Sequence, residues 1–192
     1  MAERGQPIQI VAVAAAEFNK ADGHQSGAIV HQRRHVLNQD TILTGRRKSD
    51  LDALADVCHE RGAYLCVDGI QGLGALQFDV SKTPVDFLAT HAAKWMLGPI
   101  GAGFLYIRRD LLPRLDPVMT GWRAVVDRED YFRYDSPLRE GGERFEPGSL
   151  NVSGFLGMEA GIELLLSVGL AEIEARILTL TDSLIAGLQE HG

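Results

Sequence analysis

Two nearly unbroken apolar runs mark the first half of the chain, IQIVAVAAA at residues 8–16 and AYLCVD at residues 63–68. Runs of this length without polar alternation predict strands buried on both faces, as in a sheet covered by helices. Between them, SDLDALADVCHERG changes period. Leu51, Leu54, Ala55 and Cys58 recur on one helical face, Ser49 or Asp50 can cap the start, and Gly62 stands where a helix closes. Two more short apolar runs, VDFLAT and GFLYIRR, add strands. The expected architecture is α/β, an open and mostly parallel sheet with flanking helices, which binds ligands at the C-terminal ends of its strands. After Arg109 the pattern predicts a short helix over DLLPRL and then a loop-rich stretch. Two apolar-periodic helices follow near residues 153–168 and 171–188, with Gly169 as the break.

Residues 19–44 do not fit a compact strand-to-helix connection, which usually takes about 2 to 6 residues. They are expected to be an insertion or a disordered loop, dispensable for the fold. Within them HQRRH places His31 and His35 four apart. That spacing suits a metal only on a helix with further ligands, and no third cluster is visible, so no metal is expected.

Composition narrows the function. A net charge of -7 leaves no basic surface to hold nucleic acid by its phosphates. No secretory leader and no apolar run of about 18 residues is evident, so a cytoplasmic, non-membrane protein is expected. Cys58 and Cys66 are too few for a disulfide framework and are expected to be reduced core residues.

The candidate chemistry centres on THAAKWMLGPIGAG, residues 90–103, where Lys94 sits between small residues and Trp95. A lysine in apolar surroundings is costly to keep charged, and a neutral amine is the form that condenses with an aldehyde. The alternative is an amphipathic lysine that lies over Trp95 or snorkels to water. Asp68 ends a predicted strand at the ligand-binding rim, with Gln71 three residues on; a turn aspartate is the competing reading. If sequential strands are neighbours, Asp68, Gln71 and Lys94 face one cleft.

AYLCVDGIQGLGALQFDV, VDFLATHAAKWMLGPIGAGFLYIRRDLL and RFEPGSLN together resemble class V aminotransferase-fold enzymes dependent on pyridoxal phosphate (PLP). That family, of PLP-dependent transferase fold type I, includes cysteine desulfurases, selenocysteine lyases and isopenicillin N epimerase-like proteins. The resemblance implies an enzyme acting on an amino acid, with Lys94 holding PLP as an internal aldimine and moving protons. It implies Asp68 at the pyridine nitrogen, keeping the ring protonated as an electron sink, Gln71 at the phenolate oxygen and Ile70 on a ring face. Many members read Ser-x-His-Lys at the lysine; here the histidine position is Ala93, so Thr90 or His91 would take phosphate contact, or His91 is a satisfied strand-end histidine. Ser149 matches a hydroxyl that reaches the neighbouring subunit's phosphate, which implies a homodimer. Trp122 and Arg123 could line the site, or serve the core or surface. Gly98, Gly101 and Gly103 are expected to shape the turn rather than cradle phosphate.

Residues 1–150 would then be part of the large PLP-binding domain, and residues 151–192 a helical connection toward a C-terminal domain. The desulfurase family carries its mobile cysteine in that domain, so neither Cys58 nor Cys66 is expected to carry persulfide. The alternative function is a non-catalytic fragment or pseudoenzyme that keeps the fold core and dimer surface.

Overall fold

The computed structural model describes residues 10–11 and 48–191. Helix α1 (Lys48–Glu60) buries Leu51, Ala55 and Cys58 against the sheet. It begins at Lys48, which puts Ser49 and Asp50 within its first turn. Gly62 closes it with φ +66°, while Ala63 N donates to the Cys58 carbonyl and Gly62 N to that of His59. This paired closure satisfies the last free carbonyls and needs a left-handed residue, which glycine supplies without a steric cost.

The sheet has four strands in the order β1-β4-β3-β2: β1 (Ile10–Val11), β2 (Cys66–Asp68), β3 (Phe87–His91) and β4 (Gly103–Ile107). β2 and β3 run parallel, whereas β4 is antiparallel to both β3 and β1. Among the described strands the sheet is mixed where a mostly parallel one was expected, because residues 92–102 return the chain from β3 to β4 without a crossover helix. Of the run at residues 8–16 only Ile10 and Val11 lie among the described residues, and the expected insertion at residues 19–44, with His31 and His35, lies outside them.

The run at residues 63–68 alternates instead of being buried on both faces. Ala63, Leu65 and Val67 face α1 and the core, while Cys66 and Asp68 are exposed. Cys66 is thus not a core residue, unlike Cys58; both thiols are free. One buried carboxylate holds the layers together. Asp86 is 0% exposed and takes Leu65 N at 2.6 Å and His59 Nε2 at 2.9 Å on Oδ2. Arg108 Nη1 lies 2.6 Å from its Oδ1 as an ion pair, off the line of a good hydrogen bond. These contacts tie the end of α1, the approach to β2, the start of β3 and the end of β4 to a single group. A buried carboxylate survives only with such partners.

A 3-10 helix (Arg109–Arg114) takes the place of the predicted short helix and buries Leu111 and Leu112. The loop-rich stretch is organised by the bridge Val125↔Leu138 and a short 3-10 helix (Gly142–Phe145). Helices α2 (Val152–Val168) and α3 (Leu170–His191) follow as the periodicity predicts, with Gly169 at φ +96° between them. Taken singly, no described helix is long and apolar enough to cross a membrane.

Candidate functional site

In the parallel pair of β2 and β3, Asp68 stands opposite Ala89, and Gly69 N donates to the Ala89 carbonyl at 2.8 Å. The strands end together, so the turn carrying Asp68 and Gln71 and the turn carrying Lys94 leave the same edge. They also touch. Gly74, at φ +96°, fits so closely beneath Trp95 that a Cβ there would run into the Trp95 carbonyl oxygen. The strand ends thus bring Asp68, Gln71, Thr90, His91 and Lys94 to one rim. Asp68 is exposed, and its Oδ1 accepts from Ile70 N at 2.9 Å. Gln71 and Lys94 are also exposed. Lys94 is therefore not a desolvated lysine within these residues; its turn closes when Leu97 N donates to its carbonyl at 3.1 Å. Leu97 adopts φ +56°, a conformation that costs a branched side chain energy and recurs at functional turns.

The two groups expected to stand in for the missing motif histidine are engaged locally. Thr90 Oγ1 donates to Met96 Sδ at 3.7 Å. His91 lies between two backbone donors, Ala93 N at 3.2 Å from Nδ1 and Gly101 N at 3.0 Å from Nε2. A neutral imidazole accepts at only one nitrogen, so one of the two contacts is a hydrogen bond. This is the geometry of a strand-end histidine closing its own turn. Gly103 passes so near the Thr90 carbonyl that no Cβ would fit, and Gly101 needs φ +86°, so both glycines serve the turn.

Asn151 joins the last motif to this turn. Its Nδ2 donates to the Gly101 carbonyl at 3.2 Å, and its Oδ1 caps α2 by accepting from Gly154 N at 3.0 Å. Gly157 lies against Pro99, and Gly161 against Met96 and Leu97, so α2 meets the turn backbone on a glycine face. The spacing Gly154-x2-Gly157-x3-Gly161 was the sequence signal for this contact. Gly74 and Asn151 carried no motif of their own. Ser149 lies exposed just before this anchor, and Arg123 pairs with Glu146 at 2.9 Å rather than lying open.

Cys66 shares the exposed face of β2 with Asp68. Although the residue is exposed overall, partial burial of its thiol pushes its pKa up, and the charges of Asp68 and Asp86 add to this. The shift disfavours thiolate, the nucleophilic form.

The family model for class-V aminotransferases matches residues 30–192. The chain belongs to the class-V aminotransferase family. It is 34% identical over 139 residues to a probable cysteine desulfurase of Methanothermobacter thermautotrophicus, a match covering 71% of this chain and 34% of the relative. The apo structure of a cysteine desulfurase from Thermococcus onnurineus NA1 superposes with a TM-score of 0.66 at 33% identity, covering 73% of this chain and 34% of that one. A variant of the lyase C-DES with glycine covalently linked to its PLP cofactor superposes with a TM-score of 0.56 at 31% identity, covering 64% of this chain and 32% of that one. The chain spans about a third of the length of these relatives. Its fold is accordingly the class-V aminotransferase form of the PLP type I fold, of which it carries a part.

Proposed function

We propose that the full protein is a PLP-dependent enzyme acting on an amino acid, a class V transferase or lyase, with Lys94 as the residue that binds the cofactor's aldehyde. The observation that carries this reading is the contact between the Asp68 and Lys94 turns through Gly74 and Trp95. It sets a carboxylate, an amide and a primary amine along one strand-end edge. That donor set fits PLP, which offers a basic ring nitrogen, a phenolate oxygen, an aldehyde and a phosphate. Family membership favours this reading over a non-catalytic remnant.

When bound, PLP supplies an electron sink for the pair left at the substrate's Cα. The chain's own residues do the rest. The Asp68 carboxylate holds a proton on the ring nitrogen through charge attraction. Its bond from Ile70 N engages Oδ1, and among the described residues its second oxygen is open to accept that proton's hydrogen bond. Gln71 donates its amide to the phenolate oxygen, and Ile70 flanks the ring. Lys94 Nζ would be the group that holds the aldehyde, and its amine would move protons at the substrate's Cα. Thr90 and His91 are engaged with Met96 and the turn backbone, so Ser149, exposed and without a hydrogen bond among the described residues, is the better phosphate donor.

The working unit is a homodimer in which Ser149 serves the second copy. Supporting this, the start of α2 beside Ser149 is an open, mostly apolar groove lined by residues such as Leu150, Phe155, Met158 and Ile162, with Glu159 and Glu163 also in its wall. Residues 1–150 contribute to the large domain and 151–192 lead toward a further one. A cytoplasmic setting completes the reading, consistent with free Cys58 and Cys66.

The test is reconstitution of the full-length protein with PLP. A yellow protein whose visible band is lost in Lys94→Ala supports the proposal. A colourless wild type, or a Lys94→Ala variant as yellow as wild type, contradicts it.

A further inference from the structure

Arg123 and Glu146 come from segments 23 residues apart, and their side chains are only 25% and 10% exposed where Nη2 meets Oε2 at 2.9 Å. The Arg123 guanidinium also lies 5.8 Å from the centroid of the Trp122 ring. On the same line of contact, Gly121 is pressed against Pro147 so that a Cβ would strike the Pro147 carbonyl oxygen, and a Cβ on Gly148 would stand 3.8 Å from Trp122 Nε1. Residues 121–123 therefore grip residues 146–148 by an ion pair, a backbone contact and an indole edge. The next residue is Ser149, beyond which Asn151 is pinned to Gly101. Ser149 is thus an exposed hydroxyl held on both sides.

The ion pair is not optimised for stability alone. Arg123 Nε is buried with no hydrogen-bond partner among the described residues, so part of the guanidinium's hydrogen-bonding capacity is given up to hold this geometry. We propose that Arg123 and Glu146 are positioning residues that fix Ser149 for contact with the cofactor's phosphate. This inference rests on the reading of the protein as a PLP enzyme in which Ser149 meets phosphate. A hydroxyl whose backbone is held on both sides loses little freedom when a ligand arrives, and preorganisation of this kind is what turns a single hydroxyl into useful affinity.

The test compares two ligands on the full-length apoprotein, PLP and pyridoxal, which lacks the phosphate. Dissociation constants are measured by fluorescence for wild type, Arg123→Met, Ser149→Ala and the double variant. Arg123→Met is expected to weaken PLP about tenfold, roughly 1.4 kcal/mol, while leaving pyridoxal affinity within about twofold. The double variant should be no weaker than Ser149→Ala, because residues acting through one contact are not additive. Should Arg123→Met fail to fold, Glu146→Gln replaces it in the same cycle, since it keeps shape and an acceptor. Equal loss of both ligands, or losses that multiply in the double variant, would overturn the clamp. A wild type that binds neither ligand would overturn the cofactor reading instead, and an unaffected Ser149→Ala would overturn the phosphate role of Ser149 and the clamp with it.

Discussion

Gly74 and Trp95 are in backbone contact, with no room for a Cβ on Gly74, and through that contact the turn after Asp68 rests on the turn after Lys94. The distance between acid and lysine is therefore set by backbone, which gives less than side chains do.

Gly74→Ala tests this. The new methyl meets a carbonyl, and φ +96° is strained for alanine in any case. The expected loss is about 1–3 kcal/mol of stability, read by denaturant melts, together with weaker PLP binding from a displaced Lys94 turn. A variant with wild-type stability and binding would show that the two turns do not depend on each other.

Asp86→Ala should be worse for the fold than any change at the rim. It takes the carboxylate from His59 and one of the two carboxylates from Arg108, which keeps Asp110, and leaves Leu65 N unsatisfied. Leaving Leu65 N unsatisfied costs about 1–3 kcal/mol, and the lost His59 and Arg108 contacts add to it, a large fraction of a domain's stability. Circular dichroism and solubility of the variant read the result; a cooperative melt near the wild-type midpoint would refute the assignment.

Asn151→Ala removes a helix cap and the bond to the Gly101 carbonyl at once. The cap alone is worth about 1 kcal/mol. Asn151→Asp keeps an N-cap acceptor but loses the Nδ2 donor. Thermal melts should therefore place it between wild type and alanine. If both substitutions melt alike, the cap contributes nothing.

Asp68→Ala should leave the fold intact, since its side chain is exposed and bonds only to Ile70 N among the described residues. Turnover should fall roughly a thousandfold, about 4 kcal/mol of barrier. Steady-state rates on the PLP-loaded protein check this, and an unchanged rate would reduce Asp68 to a turn residue.

What the sequence disclosed follows from the range of each interaction. The face of α1, its closure at Gly62 and the break at Gly169 are local, so period and a single glycine revealed them. The motifs placed Asp68, Gln71 and Lys94 at strand ends, and the register of β2 against β3 sets them on one edge. The direction of β4 was not legible, because a hairpin-like return and a crossover begin with the same apolar strand. Nor was the setting of Asp86, whose partners His59, Leu65 and Arg108 lie up to 27 residues away and meet only after folding. Cys66 looked like core because an apolar run hides which face each residue takes; Asp68 two residues on, also exposed, gives the alternation away.

The central claim is that Lys94 is the residue that takes the cofactor. The full-length protein is loaded with PLP, reduced with borohydride, digested and mapped by mass spectrometry. The pyridoxyl mass is expected on the peptide containing Lys94, with Lys20, Lys48 and Lys82 unmodified; label on one of those three with Lys94 unmodified would rule this role out.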